Sequence, residues 1–211
     1  NFRRIISELP QFAAYRWGDG LALTLYGASM VKTTLAGGVA CELRQEADYP
    51  NSGRVVLRVD PKRPASFPLR LRVPRWSENF RASVNNEPLP AATGGWVEIK
   101  RRWKAGDRVE IDMGMSWRLV AGTRSQRGRL AVMRGPQVFT LNPQRNPEIA
   151  GTDLKKLVLS PLSFLPAKPD DSVRAGGLAC RVKAGSVSAG VETTLTLTEF
   201  PDPGGEATFL L

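Results

Sequence analysis

Two hydrophobic periods follow one another along the chain. At the start, Phe2, Ile5, Ile6, Leu9 and Phe12 recur at helical spacing, which predicts an amphipathic helix within residues 2–15. Pro10 stops or kinks that helix. So short a helix is marginal unless it packs on a neighbour, and docking near the strand at 21–25, or on a second copy of the chain, is expected. After Gly18-Asp19-Gly20 the period changes to two, with Leu21, Leu23 and Leu25 alternating with Ala22, Thr24 and Tyr26.

Further strands are predicted at about 29–35, 39–47, 54–60, 66–73, 80–85, 95–101 and 107–113. Each has one set of positions suited to a core, such as Val55/Leu57/Val59, Leu69/Leu71/Val73 and Val109/Ile111/Met113. Turn chemistry separates them: Gly37-Gly38, Asp60-Pro61, Asn85-Asn86 and Ala105-Gly106-Asp107. Short strands with one solvated face predict an antiparallel sandwich. From Ala121-Gly122-Thr123 a second unit is expected, with strands near 129–133, 137–141, 156–165, 178–184, 192–198 and 206–211. The predicted fold class is all-β: two consecutive antiparallel β-sandwich domains, 18–120 and 121–211, preceded by a short helix in 1–17.

Composition narrows the chemistry. The 211 residues suffice for two sandwiches of roughly 100 residues each. The chain begins at Asn1, inside the predicted helix, so residues 1–17 are expected to be the remnant of an upstream domain. No apolar run has the length of a membrane span, no signal-type segment opens the sequence, and the compartment stays unread. There is no His, which removes the commonest general base. The two cysteines, Cys41 and Cys180, lie far apart; they are expected to be buried thiols, with one disulfide between the domains as the alternative. Two cysteines without His do not make a zinc site, which wants about four ligands.

The net charge of +10 lies in the first 150 residues, since residues 151–211 hold six Lys/Arg and seven Asp/Glu. Within strands the basic residues alternate with core positions, as in Leu69-Arg70-Leu71-Arg72-Val73. That layout is a solvated strand face rather than a nucleic-acid footprint, and no nucleic-acid partner is expected.

Candidate chemistry is sparse. Glycosidases need two carboxylates held roughly 5–10 Å apart across a cleft. Glu42/Glu46, Asp48 and Glu98/Glu110 are the available groups, and nothing aligns a second carboxylate across a pocket. No catalytic and no metal-binding residue is assigned. Exposed aromatic rings could carry a sugar, because a ring face matches the axial C–H face of a pyranose. Tyr49, Trp76 and Trp96 are the carbohydrate-binding candidates, against the plainer role of core and edge packing. Arg134-Gly135-Pro136 reads as a bulge or sheet crossing.

An ordered set of segments carries a resemblance. It comprises Asp19–Tyr26, Gln45-Glu46-Ala47-Asp48-Tyr49-Pro50, Leu69–Trp76, Val84-Asn85-Asn86-Glu87-Pro88, Trp103–Glu110, Arg127-Gly128-Arg129, Met133-Arg134-Gly135-Pro136 and Phe200–Gly205. In this order the set resembles glycoside hydrolase family 127, the beta-L-arabinofuranosidase-like group once filed as domain of unknown function 1680. The resemblance implies the C-terminal β-sandwich region of such an enzyme, behind an (α/α)6 barrel that carries the active site. It places the zinc-bound cysteine nucleophile of a Cys-Cys-Pro-type motif just upstream of Asn1, so Cys41 and Cys180 inherit no role. The chain is then a non-catalytic portion with no cofactor, zinc belonging to the parent barrel. Its expected partner is that upstream barrel. A carbohydrate-binding module, with an oligosaccharide partner, and a basic polyanion-binding domain are the alternatives.

Overall fold

A computed structural model describes residues 2–90, 92, 95–154, 157–160, 163–186 and 192–206; the side chains of Phe2, Arg4 and Ile5 lie outside that description. The chain divides into two compact units, Asn1–Met115 and Ser116–Leu211.

The first unit opens with helix α1 (Phe2–Glu8) and a 3-10 turn (Leu9–Phe12). The helix stops earlier than predicted because Pro10 offers no N–H and disfavours a helical residue before it. The next residues are strand rather than helix: β1 (Ala14–Trp17) pairs antiparallel with β2 (Gly20–Leu23). The segment does meet the region of 21–25, through its backbone. The Ala13 carbonyl accepts from the amides of Thr24 and Leu25, and the Phe12 carbonyl accepts from the Thr24 hydroxyl.

Strands β3 (Ser29–Thr34), β4 (Ala40–Ala47), β5 (Arg54–Pro61), β6 (Ala65–Val73), β7 (Arg81–Val84), β8 (Glu87–Pro88), β9 (Gly95–Trp103) and β10 (Asp107–Asp112) follow, close to the predicted bounds. They form two sheets, β1-β2-β6-β9 and β3-β4-β5-β10-β7-β8. One core cluster joins them: Leu23, Leu69 and Leu71 from the first sheet with Leu43, Leu57 and Val109 from the second, all essentially inaccessible. The pairing of β2 with β6 is parallel, a departure from the all-antiparallel expectation. Between them the chain leaves to build three strands of the other sheet, and a parallel pair requires such a crossover.

Two quoted motifs close one corner of this unit. Asn85 and Asn86 adopt positive φ (50° and 71°) in the β7–β8 hairpin, as Asn tolerates. The buried Asp107 carboxylate accepts from the Asn85 amide at 2.9 Å and from the Lys104 N–H at 3.0 Å. The Asn85 side-chain oxygen accepts from Arg108 N–H at 2.8 Å. The resemblance carried by Val84–Pro88 and Trp103–Glu110 is therefore a turn lock, not a reactive site.

In the second unit, β11 (Trp117–Ala121), β12 (Leu130–Arg134), β13 (Gln137–Leu141), β14 (Leu157–Leu159), β15 (Lys168–Pro169), β16 (Leu178–Ser186) and β17 (Glu192–Glu199) hydrogen-bond into one antiparallel sheet of seven strands. The expectation was five or six strands in a sandwich; the described residues show a single sheet around one cluster that includes Val132, Phe139, Val182, Leu195 and Leu197. The unit starts at Ser116, before the expected 121, because Trp117–Ala121 pairs with β12 and Gly122 lies inside that hairpin. Gly135 (φ 53°) and Pro136 form the two-residue turn of the β12–β13 hairpin, not a sheet crossing. Of the strand expected at 206–211, Glu206 bridges to Leu141; the rest lies outside the described residues.

Candidate functional site

The two sheets of the first unit turn their other faces outward, and register decides which residues stand there. On β2, Leu21 and Leu23 enter the core, so Gly20 and Ala22 face out. Their partners on β1, Trp17 and Tyr15, face out with them. Ala22 is level with Arg70 on β6, Arg70 with Glu98 on β9, and Arg72 with Trp96. The outer face of the four-stranded sheet therefore carries Tyr15, Trp17, Arg70, Arg72, Trp96 and Glu98 together. Tyr15 is 45% exposed, Trp17 53% and Trp96 44%.

Small residues on β2 organise this face. A Cβ at Gly20 would collide with the Pro68 carbonyl, so the strand can run that close only with glycine there. With Gly20 and Ala22 beneath it, the Arg70 guanidinium crosses β2 and lies 4.4 Å over the Trp17 ring. Its Nε also donates to the Glu98 carboxylate, whose other oxygen meets Lys100 Nζ at 2.9 Å. These donors, Lys100 and then Arg70, hold the Glu98 carboxyl below its usual range against a small opposing effect of burial. Arg72 Nε donates to the Thr24 carbonyl at 2.6 Å, and Tyr26 Oη donates to the Arg72 carbonyl at 2.6 Å.

Of the three aromatic candidates, only Trp96 stands on this face. Tyr49 and Trp76 are half-buried and pack against the core. Tyr49 meets Tyr26 edge-on at 6.4 Å, and burial raises its phenol above the usual range despite the charge of Arg72. Tyr15 and Trp17 escaped the sequence argument because 14–17 was assigned to the helix. The signal was present: Tyr15 and Trp17 alternate with Ala14 and Arg16 directly before Gly18-Asp19, a hairpin pattern with Leu21 and Leu23.

The carboxylates are paired with cations instead of with one another. Glu46 binds Arg58 at 2.7 Å, Glu42 binds Arg44 at 3.2 Å, and Glu110 binds Arg108 at 3.3 Å. The hydrogen bond from Arg58 keeps the Glu46 carboxyl low, the reverse of what a general acid requires. Asp48 accepts from the Asn51 side chain at 3.2 Å in a turn. Both thiols are free and buried, and burial pushes Cys41 up to about 11 and Cys180 to about 12. Neither offers a thiolate near neutral pH. Among the described residues no three His, Cys, Asp or Glu side chains gather to hold a metal. No described helix is long and apolar enough to cross a membrane.

The fold defines an all-β chain of two units, the first built of two sheets around one core. Residues 20–115 match the model of the "Beta-L-arabinofuranosidase, GH127 middle domain". The match ends at Met115, where the first unit ends, and it names a middle domain, so the placing in a C-terminal region is not confirmed. A non-reducing end beta-L-arabinofuranosidase of Bifidobacterium longum subsp. longum is 29% identical over 157 residues, covering 70% of this chain and 23% of that protein. The crystal structure of a GH127 beta-L-arabinofuranosidase from Geobacillus stearothermophilus T6 superposes with a TM-score of 0.84 at 23% identity, over 100% of this chain and 36% of that one. A solved glycoside hydrolase gives 0.81 at 24% identity, over 97% and 37%. At such identity the structures speak for the fold alone. The chain spans only about a quarter to a third of these relatives' length.

Proposed function

We propose that this chain is the non-catalytic β portion of a beta-L-arabinofuranosidase-like glycoside hydrolase, and that it supports a catalytic domain carried elsewhere in the polypeptide. The observation that carries this reading is the state of its reactive groups. The candidate carboxylates lie on outer faces or in turns and are held by cations or an amide, and both thiols are buried well above neutral. A glycosidase needs one carboxyl held protonated and a second group poised opposite it. The match over residues 20–115 and the small share of the relatives that the chain covers agree with a supporting role. The catalytic domain, with any zinc it holds, is then the partner of this chain.

The test is direct. The 211-residue chain should leave p-nitrophenyl beta-L-arabinofuranoside intact with or without added zinc, while the longer polypeptide that contains it hydrolyses the substrate. Turnover by the 211-residue chain alone would overturn the reading.

A further inference from the structure

We propose that the outer face of the four-stranded sheet, with Tyr15 and Trp17 on one edge strand and Trp96 on the other, is the seat of the catalytic portion of the same polypeptide; this rests on the supporting role just argued. Three large aromatics on one sheet face, each close to half exposed, make an unusual surface for a solvated sheet. Aromatics with Arg are the composition of an interface centre, and Arg70 is already fixed between Trp17 and Glu98 before any partner arrives. The outer surface of the six-stranded sheet exposes Met30 but no large aromatic among the described residues, and arginines and glutamates pair across it.

The occupant follows from two observations. The apolar run of Ile6, Leu9 and Phe12, all exposed, leads straight into β1, the edge strand of this same sheet, and the Phe12 ring lies 6.4 Å from that of Tyr15. The exposed run Ile6, Leu9 and Phe12 and the exposed face are thus continuous along this edge. This chain covers 36% and 37% of the solved relatives, so the larger part of such a protein is available to cover the face. An oligosaccharide fits less well. Arg70 occupies one face of the Trp17 ring, and Tyr15 and Phe12 are inclined at 37° rather than laid out as a flat platform.

Hydroxyl-radical footprinting read by mass spectrometry tests the assignment. Oxidation of Tyr15, Trp17 and Trp96 is compared between this 211-residue chain and the longer polypeptide that contains it. Met30, exposed on the six-stranded sheet, is the internal reference. In the longer polypeptide the three aromatics should react roughly tenfold more slowly, as side chains in a packed interface centre do, with Met30 unchanged. Trp17→Arg in that polypeptide should restore the reactivity of Trp96. Equal rates in both proteins would overturn the proposal. So would protection in the 211-residue chain that grows with its concentration, which marks a second copy. Protection appearing only with added arabino-oligosaccharide would mean a sugar surface and overturn it too. If the longer polypeptide protects these residues yet has no arabinofuranosidase activity, the docking face stands and the functional reading falls.

Discussion

The two outer faces of the first unit share one core and differ in what they offer water. Across the six-stranded sheet, Arg44, Arg58 and Arg108 stand side by side on β4, β5 and β10. Glu42, Glu46 and Glu110 meet them in turn. Like charges directly opposite one another repel, and the glutamates relieve that without excluding solvent. Across the four-stranded sheet, the ion pair of Arg70 and Glu98 is flanked by Trp17 and Trp96, and β2 contributes only Gly20 and Ala22. One face is complete in water. The other exposes the rings of Trp17 and Trp96, and the proposed docking rests on this difference more than on any single residue.

The comparison breaks most severely from beneath. Trp103 is fully buried, packs 5.8 Å from Phe67 and donates from Nε1 to the Phe67 carbonyl at 3.0 Å. It belongs to the core that both sheets share. Trp103→Ala should cost about 3–5 kcal/mol, the range for large aromatic truncations in cores. Thermal unfolding should show the first unit's transition displaced downward or lost, with both faces dissolving together. A loss confined to the four-stranded sheet in hydrogen exchange would mean that the faces do not share one core.

The second unit supplies the contrast of a carboxylate that is not on a surface. Asp202 is buried and accepts from Asn142 Nδ2 at 2.9 Å, Thr198 Oγ1 at 2.8 Å and Gly204 N–H at 3.0 Å, with Arg145 Nε at 3.1 Å. Burial pushes this carboxyl up, but the donors and Arg145 outweigh it and hold it below its ordinary value. A folded value below the unfolded one, about 3.9, stabilises fully above that pH and less as pH falls through the folded value. Asp202→Ala leaves the buried Asn142 and Thr198 donors and the part-buried Gly204 N–H without their acceptor and should cost about 3 kcal/mol near neutral pH. The deficit should shrink as the pH drops below about 4. A deficit that persists undiminished in acid would show that packing, not the ionised carboxylate, is what Asp202 provides.

Most of the strands were legible in the sequence because their cores alternate over long stretches, as in Val55/Leu57/Val59 and Leu69/Leu71/Val73. What escaped was short or joined through distant residues. β1 has four residues and follows a helical stripe that runs on to Phe12, so Tyr15 and Trp17 were grouped with the wrong element. Ala121-Gly122-Thr123 reads as the opening of the second unit, although that glycine closes a hairpin whose first strand is Trp117–Ala121. The exposed face was half legible: Trp96 was singled out, but its neighbours on the face arrive from strands β1 and β6, and a single sequence does not reveal register between distant strands. Tyr49 and Trp76 were chosen by residue type alone, and type does not tell which ring is half-buried against the core.

The smallest expected effect separates the faces most cleanly. In the 211-residue chain, Trp17→Ala removes an exposed ring under Arg70, a contact worth about 0.5–1 kcal/mol at such sites. Glu46→Gln removes the partner of Arg58 on a face open to water and counter-ions, and its effect should be too small for a thermal scan to resolve. Salt then distinguishes the two. The Arg58–Glu46 pair is screened within a Debye length of about 8 Å at physiological ionic strength, so any difference should vanish as salt rises. Part of the Trp17 contribution is dispersion between its ring and the guanidinium lying over it, which salt leaves in place. Melting curves of both variants at low and high salt should therefore converge on the parent for Glu46→Gln and stay displaced for Trp17→Ala. If both converge, the aromatic face is held only by charge, and its distinction from the six-stranded face is lost.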